Sequence, residues 1–129
     1  MADWSIKIVP AATGDGAAFV PDINGYGPGD PLPAQQDDLV SWNNTTDETH
    51  QPWPTDSGYN PLSEADVLPR GSANYLSDPI PGGQSSRPSY DVAQPDSSPQ
   101  SWTVYYFCRL HPDVKTERGT IEATVPPST

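Results

Sequence analysis

Few residues in this 129-residue chain can do chemistry, and they are concentrated. Cys108 is the sole cysteine, and His50 and His111 are the only two histidines, so these three carry every strong sulfur and nitrogen donor available. Only Arg109 and Leu110 separate Cys108 from His111, so one loop presents both, while His50 must arrive from another. A soft thiolate with two imidazoles is the His₂Cys set that suits copper and builds electron-transfer sites. The plainer alternative is a buried, small apolar cysteine with two surface histidines. One cysteine excludes an internal disulfide and any Cys₂His₂ or Cys₄ zinc site. A Cys-His hydrolase is the least favoured chemistry, because Cys108 ends an apolar strand with no orienting Asp or Asn beside it.

The elements that must position these residues read as strands. Seventeen prolines leave little room for a long helix. Trp4, Ile6 and Ile8 alternate with Ser5 and Lys7 up to Pro10, the period of a strand with one buried face. A second strand is expected around Phe19, Val20 and Ile23, with turn chemistry throughout 25–33. A third covers Leu39–Trp42 and runs into the polar Asn43-Asn44-Thr45-Thr46 loop that ends at His50. Trp102, Val104, Tyr106 and Cys108 share one parity and Thr103, Tyr105 and Phe107 the other, which predicts a strand apolar on both faces. Ile121, Ala123 and Val125 alternate with Thr120, Glu122 and Thr124 in a half-exposed final strand. Ser89–Val92 resumes strand alternation ahead of the turn at 94–98.

Between His50 and Arg87 this periodicity fails, and 51–79 reads as a loop-rich insertion, packed over the sandwich through Tyr59, Leu62, Leu68, Tyr75 and Leu76. Within it, 60–68 is expected to hold a helical turn or two with Asn60 as N-cap and Pro61 at the first helical position. No internal repeat is present, and the whole chain reads as one all-β sandwich domain over 1–129. Twelve aromatic residues suffice for a thin core although only 33% of residues are hydrophobic. Seventeen Asp and Glu against six Lys and Arg, a net charge of −11, make nucleic acid a poor partner and a cationic one natural. No apolar run approaches the roughly 20 residues of a membrane span.

The stretch Tyr105-Tyr106-Phe107-Cys108-Arg109-Leu110-His111-Pro112, followed by Gly119-Thr120-Ile121-Glu122-Ala123, resembles the ligand loop of the cupredoxins, the type 1 copper proteins that include plastocyanin and amicyanin. Asp38–Asn44 leading to His50, with Trp42 eight residues before that histidine, resembles their approach to the first ligand. Ile80–Ser85 with Tyr90 resembles the strand entry that precedes the ligand strand. The resemblance implies a Greek-key β-sandwich, one copper ion cycling between Cu(I) and Cu(II), and His50, Cys108 and His111 in a near-trigonal plane around it. It further implies an electron carrier rather than an enzyme, a redox partner protein with a basic docking face, a monomer, and an extracytoplasmic location, although Met1-Ala2-Asp3-Trp4 is no signal peptide. Asn43 or Asn44 is expected to tie the two ligand loops, the Gln51 N–H to donate to the thiolate, and Pro52, Trp53, Pro54 and Leu110 to form an apolar patch around His111.

The axial position departs from the family. Relatives usually supply a methionine there, and the only methionine is Met1. Counting back two from Gly119 reaches Glu117; counting forward from His111 reaches Val114 on the amicyanin spacing and Thr116 on the plastocyanin spacing. The glycine is the better anchor because the last strand sets that end, so Glu117 is the expected axial ligand. A carboxylate is a harder donor than a thioether and favours Cu(II) and a more tetragonal geometry. An exposed loop glutamate is the alternative. So is an axial position left open behind Val114, which implies a nitrosocyanin-type centre that binds or converts a small ligand. A copper carrier and a metal-free interaction module complete the readings.

Overall fold

The computed structural model describes residues 3–11, 16–67, 75–86, 90–94, 97, 99–111, 113–114 and 116–126. Leu68, Ser89 and Pro112, which figure in the expectations above, lie outside the described residues. Eight strands and one helical turn are present among those described. They are β1 (Asp3–Pro10), β2 (Ala17–Pro21), β3 (Leu32–Gln35), β4 (Leu39–Asn44), β5 (Pro52–Thr55), α1 (Glu64–Val67), β6 (Tyr90–Asp91), β7 (Ser101–Cys108) and β8 (Arg118–Thr124).

Two four-stranded mixed sheets form, in the orders β2-β1-β4-β6 and β3-β8-β7-β5. Strand β1 runs antiparallel to β2 and parallel to β4; β8 runs antiparallel to β7 and parallel to β3. The all-β sandwich read from the sequence is the architecture observed. None of the described helices is long and apolar enough to cross a membrane.

Period-two alternation decides which residues meet between the sheets. Ile6, Ile8, Phe19, Val40 and Trp42 come from one sheet and Leu32, Ala34, Tyr106, Cys108, Ile121 and Ala123 from the other. Tyr106 joins the layers: its ring stands edge-on to Phe19 at 4.9 Å and to Trp42 at 5.5 Å between centroids. Gly119 faces Tyr106 across the β7–β8 ladder, and a Cβ there would lie 2.4 Å from the ring, so only glycine leaves the phenol its place. The glycine that opens the last strand is therefore a packing requirement of the core.

Several expectations are corrected. The 25–33 turn region ends two residues early, because Leu32 and Pro33 already belong to β3, with Leu32 burying its side chain against Ile121. Ile23 falls just past β2, in a turn where its N–H meets the Pro21 carbonyl. The 51–79 insertion opens with a buried strand, β5, paired to β7 at the sheet edge. Two prolines sit in it without breaking it, because an edge strand leaves alternate backbone groups facing outward. The Pro54 carbonyl points away from β7 and accepts the Leu62 N–H at 3.0 Å, so the missing Pro54 N–H takes nothing from the ladder. The helix is one turn, with Ser63 in front of it in hydrogen bonds to Asp66, while Asn60 is occupied by Asp56 and Pro61 bridges Thr55. Trp53, Val67 and Phe107 form a second core on the outer face of this sheet, with Leu62 and Tyr75 packed against it. Leu76 joins the main core instead, and Tyr59 packs edge-on against Tyr105.

Candidate metal centre

Three segments converge at one end of the sandwich. The loop after β4 delivers His50, whose backbone exchanges two hydrogen bonds with Ile80 (3.1 and 2.7 Å), so the ring is held although no strand continues there. Asn44 braces this loop from beneath: its amide donates to the Glu48 and Ile80 carbonyls and its oxygen accepts from the Thr46 N–H and hydroxyl. The expected tie between the two ligand loops is thus a correction. Among the described residues, Asn44 links the His50 loop to the segment around Ile80, and the Asn43 side chain meets Ser85.

The loop from β7 to β8 is a staircase of three-residue turns. The Cys108 carbonyl accepts the His111 N–H, the His111 carbonyl the Val114 N–H, and the Val114 carbonyl the Glu117 N–H, at 3.1–3.2 Å. The Glu117 carbonyl then accepts the Cys108 N–H at 3.0 Å and closes the loop on itself. Residues at three-residue spacing therefore come back to one place. This is the physical content of the Cys-x-x-His spacing, and it explains why the count back from Gly119 reaches a residue that points inward.

His50, Cys108, His111 and Glu117 offer donor atoms that all lie within 4.8 Å of one another. Cys108 Sγ stands 3.5 Å from His50 Nδ1 and 3.4 Å from His111 Nδ1. Glu117 Oε1 is 3.3 Å from His50 Nδ1 and 3.0 Å from His111 Nδ1. Donors about 2.0–2.3 Å from a shared ion stand roughly 3.3–3.6 Å apart in a tetrahedral arrangement. The cluster thus has the size and the soft-plus-imidazole-plus-carboxylate chemistry of a transition-metal site. Val114 contributes a side chain to the wall near Gly16, and Thr116 is exposed.

Burial is uneven in a way that matters. Cys108, His50 and Glu117 are buried, whereas the His111 side chain is 29% exposed and turns Nε2 outward to the Glu48 carboxylate at 3.5 Å. The Gln51 N–H points at Cys108 Sγ at 3.5 Å, as expected. Of the four residues expected to form the apolar patch, Pro52, Trp53 and Pro54 are buried, with the Arg109 guanidinium 4.0 Å over the Trp53 ring, and Leu110, 46% exposed, is the one at the surface. Glu48 and the β1–β2 connection at Gly16–Ala17 are further site neighbours that the sequence does not announce. Neither carries a motif.

The charges are mutually supportive. Burial pulls the His50 pKa down, but hydrogen bonds and charge from Cys108 and Glu117 outweigh it and raise it to about 9. Burial likewise pushes the Glu117 carboxyl up, and it is overcome by the His50 hydrogen bond, the Ala17 N–H, Cys108 and the charge of His111, for a net depression. Without an ion, the site stores an imidazolium against a carboxylate. Replacement of that proton by a metal cation preserves the charge pattern.

No protein-family model and no curated protein sequence matches the chain. Among solved structures it is similar to a purple cupredoxin from Nitrosopumilus maritimus, with a TM-score of 0.58 at 19% identity over 95% of this chain and 98% of that one. It is also similar to a multicopper oxidase (TM-score 0.52, 20% identity, 98% of this chain and 44% of that one) and to a Campylobacter jejuni multicopper oxidase (TM-score 0.54, 14% identity, 97% and 26%). The chain spans less than half the length of these oxidases. With its two four-stranded sheets and near end-to-end correspondence to the Nitrosopumilus protein, this chain is a cupredoxin in fold.

Proposed function

We propose that the protein binds one copper ion through His50, Cys108, His111 and Glu117 and works as an electron carrier. The observation that carries this reading is the convergence of Sγ, two Nδ1 atoms and Oε1 at 3.0–3.5 Å, with one ligand edge facing solvent. Copper supplies one-electron Cu(II)/Cu(I) chemistry in a site of this composition. The protein's part is to hold the donors still. Cys108 is pinned by the strand β7 and by the Glu117 carbonyl, His50 by Ile80, and Glu117 by its own turn. Rigid donors limit reorganisation between oxidation states. Glu117 adds a hard anionic donor that favours Cu(II) and lowers the potential. The Gln51 N–H withdraws charge from the thiolate and acts in the opposite direction.

His111 is the natural electron exit, since it is the one partly exposed member of the set. Glu48 beside its Nε2 and a chain charge of −11 favour a redox partner with a basic docking face. An extracytoplasmic carrier is the role this reading implies. A second reading, small-ligand binding at the metal, draws support from a cleft of about 190 Å³ lined by Gly16, Ala17, Thr46, Asp47, Glu48 and His50.

Titration of the metal-free protein with Cu(II) tests the proposal. The expected result is an intense visible thiolate-to-copper band saturating at one equivalent, lost in Cys108→Ala, and a reversible one-electron couple. No visible band, or a band that survives Cys108→Ala, would overturn it. A spectrum that changes on addition of azide would favour the second reading over pure electron transfer.

A further inference from the structure

Glu117 has two carboxylate oxygens, and they are in different company. Oε1 faces His50 Nδ1 and His111 Nδ1 at 3.3 and 3.0 Å. Oε2 is turned away from them and accepts the backbone N–H of Ala17 at 3.0 Å, across a hundred residues of sequence. That donor stands at the first residue of β2, at the end of the connection from β1, where the Ala11 N–H closes on the Gly16 carbonyl at 3.1 Å.

A side chain at Gly16 would force its neighbours to move. A Cβ there would lie 2.5 Å from Val114 Cγ1 and 2.7 Å from Glu117 Oε2, and its φ of +94° is one that side-chain-bearing residues rarely adopt. Gly29 and Gly83 have similar positive φ values, but a Cβ at either meets nothing within 4 Å. Gly16 therefore combines a backbone requirement with a close approach to the carboxylate.

We propose that Gly16 and Ala17 are positioning residues of the metal centre, which occupy Oε2 of Glu117 so that this carboxylate presents Oε1 alone and acts as a one-oxygen ligand. The inference rests on the reading of Glu117 as fourth ligand. A carboxylate free to rotate offers either oxygen or both, and a second bound oxygen would expand the coordination shell. The Ala17 N–H, a charge-assisted donor, fixes the rotation, and the Gly16 backbone fills the space into which Oε2 would otherwise swing. Partners that orient a metal ligand in this way change metal affinity by roughly 10–100-fold when removed.

Four variants test this: Gly16→Ala, Ala17→Pro, Glu117→Gln and Gly29→Ala, the last reproducing the positive-φ strain away from the site. Each is loaded with Cu(II) and separately with Co(II), whose d–d band intensity reports coordination number without redox chemistry. Metal retention is measured against a chelator, and the fold of each metal-free form by circular dichroism. Gly16→Ala and Ala17→Pro are expected to move the Cu(II) charge-transfer spectrum, alter the Co(II) intensity and weaken retention about 10–100-fold. Gly29→Ala should leave all three unchanged. In the double variants with Glu117→Gln, the Gly16 and Ala17 changes should add nothing further to the spectrum, because they act through that side chain. If Glu117→Gln shifts the spectra and neither Gly16→Ala nor Ala17→Pro does, the positioning role is wrong while the ligand reading stands. If Glu117→Gln leaves the Cu(II) and Co(II) spectra as they were, the ligand reading fails and takes this inference with it. Should Ala17→Pro not fold, Gly16→Ala decides by the same criteria.

Discussion

The proton stored on His50 makes the metal-free protein's stability fall as pH rises. In the folded chain the His50 pKa stands at about 9 against an ordinary 6.5. A group whose folded pKa is the higher contributes its full stabilisation below the unfolded value and loses it as pH climbs through the folded one. Across pH 6.5 to 9 the unfolded chain has released this proton and the folded chain has not. Stability then declines by about 1.4 kcal/mol per pH unit, about 3 kcal/mol in all. Glu117 acts at the other end: its depressed carboxyl contributes above its ordinary 4.5, and that contribution is lost as pH falls. The metal-free protein should therefore be most stable between about pH 4.5 and 6.5. Urea unfolding followed by tryptophan fluorescence reads this directly. With a slope of about 1–3 kcal/mol per molar, the midpoint should drop by about 1–3 M urea between pH 6 and 9.5. His50→Gln should remove most of the decline, and metal loading should abolish it because the ion replaces the proton. A midpoint that is flat across this range, or a decline of the same size in His50→Gln, would refute the charge assignment on which the site's electrostatics rests.

Two other perturbations follow from the packing and the surface. Gly119→Ala forces a methyl to within 2.4 Å of the Tyr106 ring, which Phe19 and Trp42 hold from the other side, so chemical denaturation should show a loss of about 1–3 kcal/mol; a neutral result would mean that Tyr106 does not fill the core as described. Glu48→Gln removes the carboxylate at His111 Nε2. Stopped-flow reduction of the copper form by a cationic complex should slow several-fold and lose part of its ionic-strength dependence, whereas an anionic reductant should speed up. Equal responses to both reductants would place electron entry elsewhere.

What the sequence made legible, and what it did not, divides along contact distance in the chain. Cys108, His111 and Glu117 are related by turns of three residues whose ends are set by the β7–β8 ladder, so a count from Cys108 at one end and from Gly119 at the other reaches all three. The alternation in β1, β4, β7 and β8 was legible for the same reason, since each strand buries one face or both by its own parity. Prolines hid β3 and β5. Read locally they are strand breakers, but both strands lie at sheet edges, where Pro33 faces solvent and Pro54 turns its carbonyl to Leu62. The N-cap was misassigned because Asn60 had a better partner in Asp56, four residues back, than in the helix ahead. Gly16 and Ala17 left no trace at all. A backbone N–H has no side-chain signature, and the carboxylate it meets is a hundred residues away. A donor set can be read from residue types because ligation needs particular atoms. The groups that aim those donors need only an N–H, a carbonyl or an absent Cβ in the right place, which any sequence of the right fold supplies. On the proposed reading, the donor set of the candidate centre is written in Cys108, His50, His111 and Glu117, while Gln51, Ile80, Gly16 and Ala17 meet those residues through their backbones.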